Sequence, residues 1–247
     1  MYSYLYDSCL SENKYATNLA RVEARLTQLG INGKINRLSF LKNIRSILTD
    51  ELKRGLKNLI IVGNDQTVNQ VLNLAADLDV TFGFIPLGQP QTLAKILGLP
   101  DPLAACDILA GRKIEKIDVG LVNDYYFLTS IILPGEPLIL ECDQSYFLTL
   151  TSNKTEVKIC NLDFINGEFA KPQDGFFEIV IKEKPSSLSF FRTKQIPLSK
   201  FLVRKINLSA KKSTVIRIDQ QKTLKTPVTI KIEKQKIPFI VGKDRLF

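Results

Sequence analysis

The fold class is indicated by residues 59–71, which read Leu59-Ile60-Ile61-Val62-Gly63-Asn64-Asp65-Gln66-Thr67-Val68-Asn69-Gln70-Val71. It begins as an apolar run typical of a buried strand, and it continues into a polar turn with one carboxylate and one hydroxyl. The spacing of Val68 and Val71 then predicts a helix. A strand, a polar turn and a helix in this order are typical of an α/β protein, which binds ligands at the carboxyl ends of its strands. The stretch Phe82-Gly83-Phe84-Ile85-Pro86-Leu87-Gly88 follows the same plan.

Strands and helices alternate along the first 112 residues. Ser11 is predicted to cap a helix whose apolar stripe stops at Gly30. Further strands are predicted at residues 2–6, 34–38, 59–62 and 80–85, and further helices after Ser39, from Val68, at 91–97 and at 102–109. This alternation predicts an α/β domain over residues 1–112 with a doubly wound parallel sheet.

The pattern changes after Gly111. Short segments now alternate apolar and polar residues with a period of two, and a tight turn at Asn123-Asp124 joins the first two of them. This pattern predicts an antiparallel β-sandwich domain over residues 113–235. We expect the tail, residues 236–247, to pack back on the first domain.

One helix is predicted within the second domain, from Pro197 to Ile206. Its basic residues would lie beside an apolar face made of Leu198, Phe201, Leu202 and Ile206. An apolar face flanked by basic side chains suits a helix that lies in a membrane surface. The alternative is a helix that covers the sandwich and keeps its basic side chains in water.

The composition excludes several kinds of site. The 247 residues include no histidine, which excludes Ser-His-Asp and Cys-His catalysis and any histidine-ligated metal. The four cysteines form no C-x-x-C pair, so we expect free, mostly buried thiols. No apolar run approaches the ~20 residues of a membrane span, and the first residues lack the basic region of a signal peptide. We therefore expect a cytoplasmic protein.

The net charge of +9 is unevenly spread along the sequence. Residues 1–150 contain 14 Lys and Arg against 16 Asp and Glu, whereas residues 151–247 contain 20 against 9. A basic C-terminal half favours an anionic partner, either a membrane surface or a nucleic acid. The alternative is a solvated basic face that aids solubility.

A set of short motifs follows the order found in a known family. They are Gly63-Asn64-Asp65-Gln66-Thr67, Ile85-Pro86-Leu87-Gly88, Gly98-Leu99-Pro100, Ile117-Asp118-Val119-Gly120, Gln173-Asp174-Gly175-Phe176 and Ile218-Asp219-Gln220-Gln221. They resemble motifs of the bacterial diacylglycerol kinase and lipid kinase family, among them G-G-D-G-T and D-G-E, and the nucleotide domain of this family is related to that of NAD kinases. The resemblance extends roughly from Tyr4 to Ile232.

The resemblance implies ATP and magnesium as cofactors. Asp65 would organise magnesium and phosphate, and Thr67 would donate a hydrogen bond to a phosphate oxygen. Asp219 would accept the proton of the attacking lipid hydroxyl as a general base. The remaining nucleotide contacts would come from two turns, through Gly63, Asn64, Gln66, Gly88 and Gln89.

Two further roles follow from the resemblance and the charge pattern. Asp174 matches a position that helps to hold a structural magnesium ion in the family. The membrane-facing residues would be Phe190, Phe191, Lys200, Arg204 and Lys205. For Asp65, Asp174 and Asp219 the alternative is a structural role, because aspartates in turns commonly bond to nearby backbone groups.

The phosphate turns depart from the family pattern. Asn64 and Gln66 replace two glycines of the first turn, and Gln89-Pro90-Gln91-Thr92 replaces the threonine, asparagine and aspartate of the second. A third turn, N-P-x-[AS]-G in the family, is Asp7-Ser8-Cys9-Leu10-Ser11 here, and Gln221 replaces the glutamate of D-G-E. Glycines let a backbone approach phosphates without a Cβ in the way, and Pro90 has no N–H to donate.

These observations leave three functions open. The first is an ATP-dependent lipid kinase that phosphorylates a lipid hydroxyl, peripheral at the inner membrane face. The second is a catalytically silent pseudokinase that binds a lipid, a nucleotide or a protein. The third, nucleic-acid binding through the basic half, is disfavoured because adjacent aromatic pairs such as Phe190 and Phe191 are few there. A homodimer is compatible with each of them.

Overall fold

The computed structural model describes residues 1–39, 44–151, 155–165, 168–183 and 198–247. The chain forms two compact units, of which the first comprises Met1–Ile117 with Lys236–Phe247 and the second Asp118–Gln235. Within the described ranges, no helix has the length and apolar character needed to cross a membrane.

The strands of the described chain are β1 (Tyr2–Tyr6), β2 (Lys34–Arg37), β3 (Asn58–Gly63), β4 (Thr81–Pro86), β5 (Ile114–Val122), β6 (Tyr125–Phe127), β7 (Ser130–Leu133), β8 (Leu138–Cys142), β9 (Tyr146–Leu150), β10 (Thr155–Cys160), β11 (Phe164–Ile165), β12 (Glu168–Phe169), β13 (Phe177–Glu183), β14 (Leu198–Val203), β15 (Lys205–Ser209), β16 (Val215–Ile218), β17 (Lys222–Lys225) and β18 (Val228–Ile240). The α-helices are α1 (Ala16–Gln28), α2 (Ile44–Lys53), α3 (Asp65–Ala75), α4 (Thr92–Ile96) and α5 (Pro102–Gly111), and 3-10 turns lie at Ser8–Ser11 and Asn13–Tyr15.

The first unit has a parallel sheet at its centre. The strand order is β2-β1-β3-β4, and the end of β18 continues the sheet with Phe239 opposite Phe82, also in parallel. Every residue of β3 is buried, as expected for a strand covered on both faces. Helix α1 packs against α5, and α2 packs against α3. With the right-handed crossovers usual for parallel strands, the strand order places these two pairs on opposite faces. The prediction of a doubly wound α/β domain is confirmed.

The second unit is built from antiparallel sheets. One has the order β18-β15-β8-β9, and the other has the order β14-β13-β10-β7-β16-β17. Apolar side chains of both sheets form one buried cluster, which includes Leu140, Ile159, Ile179, Ile206 and Ile230. The predicted β-sandwich is therefore confirmed, because two sheets that share one apolar core define that architecture.

The helix predicted from Pro197 to Ile206 is wrong. Its described residues form β14 and the start of β15, and β14 pairs with β13 in an antiparallel ladder. Leu202, expected on the apolar face, is 51% exposed, whereas Ile206 is buried. The apolar residues of this segment fit a helical spacing by coincidence, and pairing with β13 decides in favour of a strand.

The predicted start of the first helix is also wrong. Ser11 closes a 3-10 turn, and α1 begins at Ala16 after a second 3-10 turn. The apolar stripe itself is confirmed, because Leu19, Val22 and Leu26 are buried.

The net charge is spread evenly between the two compact units, although it is uneven along the sequence. The second unit, Asp118–Gln235, contains 17 Lys and Arg and 13 Asp and Glu, so its net charge is +4. The first unit contains 17 and 12 and carries +5. The strong basicity of residues 151–247 arises because a cut at residue 150 separates the acidic start of the second unit from its basic remainder. The two units are in fact similarly basic.

Candidate functional site: the closed turns at the ends of strands β1, β3 and β4

The turn after β3 is held by its own first residue. Asn64 is the N-cap of α3, and its Oδ1 accepts hydrogen bonds from the backbone N–H groups of Gln66 at 2.9 Å and Thr67 at 3.2 Å. Asparagine is among the best residues for this position, because its side chain satisfies amides that the first helical turn leaves without partners. The side chain of Asn64 thus occupies the N–H groups that a bound phosphate would need.

Thr67 is hydrogen-bonded to a residue at the end of a neighbouring strand. Its hydroxyl donates to Oδ2 of Asp7, which follows β1, and its side chain is buried. The other oxygen of Asp7, Oδ1, accepts from the N–H of Cys9 at 2.8 Å. Gly63 is required by this arrangement, since a Cβ there would lie 2.8 Å from the Thr67 hydroxyl and 3.0 Å from the Asp7 Cβ.

Asp65 connects the turn after β3 to the turn after β4. Its carboxylate accepts from the N–H of Thr92 at 2.7 Å and of Leu93 at 3.2 Å, the first two residues of α4. In the other direction, the N–H of Asp65 donates to the carbonyl oxygen of Pro90 at 3.0 Å. Asp65 therefore caps α4, which is the structural alternative that a turn aspartate allows.

The turn after β4 lies close in space to the turn after β3. The N–H of Leu87 donates to the carbonyl oxygen of Gly63 at 2.7 Å. Gly88 has φ +104°, a conformation that favours glycine, and the peptide bond between Gln89 and Pro90 is cis. The two turns predicted as a nucleotide site thus do lie together at one edge of the sheet.

This arrangement does not fit ATP. A helix N-terminus attracts anions because its free N–H groups point at the ligand. Here the amides of Asp65, Gln66 and Thr67 at the start of α3, and those of Thr92 and Leu93 at the start of α4, all donate to oxygens of the chain itself. The carboxylate of Asp65 accepts the bonds at the start of α4, and the carboxylate of Asp7 accepts from the Thr67 hydroxyl. The negative charge of both would oppose a phosphate.

Asp219, in the second unit, also accepts hydrogen bonds from nearby groups of the chain, as Asp65 does. It is 6% exposed, and its Oδ1 accepts from the Thr129 hydroxyl at 2.6 Å and from the N–H groups of Thr129 at 2.8 Å and Ser130 at 3.0 Å. Its Oδ2 accepts from the N–H of Leu128 at 2.9 Å. Burial raises the pKa of Asp219, and these four hydrogen bonds oppose the increase. The carboxylate fastens the β16–β17 turn to the residues before β7.

Asp174 lies beside a second carboxylate that sequence reasoning did not select. Oδ1 of Asp174 accepts from the N–H of Phe176 at 2.9 Å, and the N–H of Gly175 donates to Oδ2 of the fully buried Asp118 at 2.7 Å. Oδ1 of Asp118 accepts from the N–H of Gln235, also at 2.7 Å. Burial raises the pKa of Asp118, and the charge of Asp174 adds to the increase.

Magnesium binding at Asp174 stays a prediction. Both oxygens of the neighbouring Asp118 accept backbone hydrogen bonds. In the part of the chain that the structure describes, no group of three or more His, Cys, Asp and Glu residues could hold a metal ion.

Of the basic residues predicted to face a membrane, Lys200 and Lys205 lie on strands β14 and β15, and Arg204 lies between these strands. Lys200 pairs with Glu178 at 2.6 Å, and the guanidinium of Arg204 lies 4.5 Å from the centre of the Phe176 ring. Lys205 is exposed on β15. Phe190 and Phe191 lie outside the described residues.

The sequence places Asp7 at the start of the third turn but does not indicate that its side chain takes part in the site. Asp7 follows β1 directly, and β1 is the parallel neighbour of β3, so its side chain reaches the turn that contains Thr67. The position of a polar residue immediately after a strand could have indicated it. Asp65 and Asp219, predicted as partners in catalysis, belong to different compact units.

Comparisons with known proteins identify the relatives of this chain. The model of the diacylglycerol kinase catalytic domain matches residues 6–122. A diacylglycerol kinase of Bacillus subtilis (strain 168) is 29% identical over 128 residues, which are 50% of this chain and 42% of that protein. A putative lipid kinase of Staphylococcus carnosus (strain TM300) is 26% identical over 230 residues, which are 73% of this chain and 75% of that protein.

The solved structures show that the fold is shared. The crystal structure of a putative diacylglycerol kinase from Bacillus anthracis str. Sterne superposes with a TM-score of 0.79 at 17% identity, over 99% of this chain and 98% of that one. By sequence, the matched region spans less than half of the first curated relatives, 42% of the Bacillus subtilis kinase and 26% of a diacylglycerol kinase from Mycobacterium tuberculosis.

Proposed function

Because the chain belongs to the diacylglycerol kinase family, we propose that it is a catalytically silent member, a pseudokinase that keeps the fold as a binding module. The observation that carries the proposal is the closure of the phosphate turns by Asn64 and Asp65. In a kinase, catalysis depends on positioning and neutralising the phosphates. Here the chain's own side chains take the N–H groups that would do so.

The competing function is ATP-dependent phosphoryl transfer to a lipid hydroxyl. Asp65, Thr67 and Asp219 stand at the matching motif positions, and this favours it. Their contacts weigh against it, however, because each of these side chains is bonded within the chain. A general base must also reach the proton that it removes. The carboxylate of Asp219 is buried and already accepts four hydrogen bonds, which opposes this role.

A transfer assay tests the proposal directly. Purified protein is incubated with magnesium, ATP labelled on the γ-phosphate and vesicles that contain diacylglycerol, and label in the lipid fraction is counted. We expect no transfer above a blank without protein. Magnesium-dependent transfer that is lost in Asp65→Asn would overturn the proposal, because this substitution removes the charge but retains one acceptor for the start of α4.

A gain-of-binding variant tests whether the Asn64 cap is what prevents ATP binding. Asn64→Gly combined with Gln66→Gly removes the cap and restores the family's glycines, so we expect weak, magnesium-dependent ATP binding that the wild type lacks. The matched control is the single variant Gln70→Gly, which leaves Asn64 intact. It places a glycine at an exposed position one turn further along α3. Equal binding by both variants, or by neither, would exclude the cap as the cause.

A further inference from the structure

One face of the sheet β18-β15-β8-β9 points away from the sandwich core, because successive side chains of a strand point to opposite faces. On this outer face, Phe147 of β9 lies opposite Glu141 of β8. Glu141 lies opposite Asn207 of β15, and Asn207 lies opposite Thr229 of β18. The four side chains therefore form one row across the sheet, about 14 Å long at the ~4.8 Å spacing of neighbouring strands.

The polar members of the row are held by hydrogen bonds. Nδ2 of Asn207 donates to Oε2 of Glu141 at 2.9 Å, and the Thr229 hydroxyl donates to Oδ1 of Asn207 at 3.1 Å. Asn123, in the turn between β5 and β6, extends the row, because its Oδ1 accepts from the N–H of Thr229 at 3.0 Å. Among the described residues, Oε1 of Glu141 and Nδ2 of Asn123 have no further partner. The row thus presents a fixed acceptor and a fixed donor to a ligand.

The row lines an open depression with a volume of about 370 Å³. This volume lies within the ~300–1,000 Å³ usual for small-molecule sites. Phe147, which is 67% exposed, and Ile139, which is 39% exposed, give the depression an apolar side. An apolar patch beside hydrogen-bonding groups of fixed orientation is the usual composition of a ligand site.

The charge of the depression excludes anionic ligands. Ten of the described residues line it, and Glu141 is the one charged residue among them. A phosphate or a nucleotide would therefore meet a carboxylate and no cation. Lys205 and Lys231 follow on the same face, two residues further along their strands, but neither lines the depression. A purely apolar ligand is disfavoured as well, because it would cover the polar row without bonding to it.

We propose that this depression binds a sugar ring, either of a free saccharide or of a glycolipid head group. The C–H groups on one face of a pyranose would stack on Phe147, because the face of an aromatic ring is negative and attracts them. The hydroxyls at the rim of the sugar would donate to Oε1 of Glu141 and accept from Nδ2 of Asn123. The site lies entirely in the second unit, so the proposal is independent of ATP binding at the turns of the first.

Saturation-transfer NMR of the full chain tests the proposal with four disaccharides, maltose, cellobiose, lactose and N,N′-diacetylchitobiose. We expect transfer to the ring protons of at least one of them, with a Kd on the order of 1 mM because the depression is open. Sedimentation with phosphatidylcholine vesicles that contain galactosyl diacylglycerol tests the other source of the sugar, and phosphatidylcholine vesicles alone are the blank. Binding to the disaccharides assigns a free saccharide, and binding to the galactolipid vesicles alone assigns a glycolipid. Binding to neither would overturn the proposal.

Matched variants locate the binding. Phe147→Leu keeps an apolar side chain but removes the ring, so it should weaken binding about fivefold, whereas Phe147→Tyr keeps the ring and should match the wild type. Glu141→Gln retains an acceptor for Asn207 but loses the charge, and we expect binding to weaken about threefold. Leu202→Ala shortens a side chain that is 51% exposed on the other sheet, and it should leave binding unchanged. Sugar binding that Phe147→Leu and Glu141→Gln leave unchanged would overturn the proposal.

Discussion

Asn64 satisfies the first amides of α3 with its own side chain. A glycine at this position would leave the first amides of α3 open, whereas the asparagine side chain fills them. The consequence is measurable as stability. We expect Asn64→Ala to lower the free energy of unfolding by about 1 kcal/mol, the usual value of an N-cap. Urea denaturation measures it, with the exposed Gln66→Ala as a control that should change stability by less than half as much.

Cys9 provides a pH-dependent signal beside the same turns. All four cysteines are free, as predicted, and three of them are buried, whereas Cys9 is partly exposed. Burial, together with a hydrogen bond to Asp7 and its negative charge, raises the pKa of Cys9 to about 11. Since the thiolate is the reactive form, its modification should be slow at neutral pH and accelerate about tenfold per pH unit up to about pH 10.

Labelling with an iodoacetamide reagent and mass spectrometry measures this rate. The expected result is one modified residue in the native protein, Cys9, with a log-linear rise in rate. A rate that levels off near pH 8 would mean that the Cys9 thiol is not held by Asp7 in solution.

At the scale of elements, the β16–β17 hairpin carries local strain. Asp219 and Gln220 have φ +46° and +59°, and the N–H of Gln221 donates to the carbonyl oxygen of Ile218 at 2.9 Å, which closes the turn. Glycine adopts a positive φ without the steric cost that a side chain brings. We therefore expect Gln220→Gly to raise the free energy of unfolding by about 0.5–1 kcal/mol.

Thermal unfolding followed by circular dichroism measures the effect. The control is Thr223→Gly, which places glycine within β17 and should destabilise by about the same amount. A loss of stability in Gln220→Gly would contradict the assignment of the turn.

Most elements could be predicted from the sequence because apolar spacing is a local property. The strands β1 to β4 and the helices α4 and α5 lie close to their predicted positions. The segment before β15 was mistaken for a helix because Leu198, Phe201 and Leu202 satisfy a helical spacing, and its pairing with Phe177–Lys182 depends on residues far away in sequence. Local patterns cannot reveal such a partner.

At the scale of the whole molecule, the sequence indicated where a site would lie but not what fills it. The turns after β3 and β4 were identified from their glycines and polar residues. The bonds that close them join Asp7 to Thr67 and Asp65 to Thr92, residues 60 and 27 positions apart. Only the folded chain brings these groups together, so the closure of the turns could not be predicted from the motifs.

We expect the closed turns after β3 and β4 not to admit a nucleotide. Isothermal titration calorimetry of the wild-type protein with magnesium and ATP tests it most directly, with Asp65→Ala titrated in parallel. We expect no saturable heat at millimolar ATP for either protein. Saturable, magnesium-dependent binding by the wild type that disappears in Asp65→Ala would contradict it.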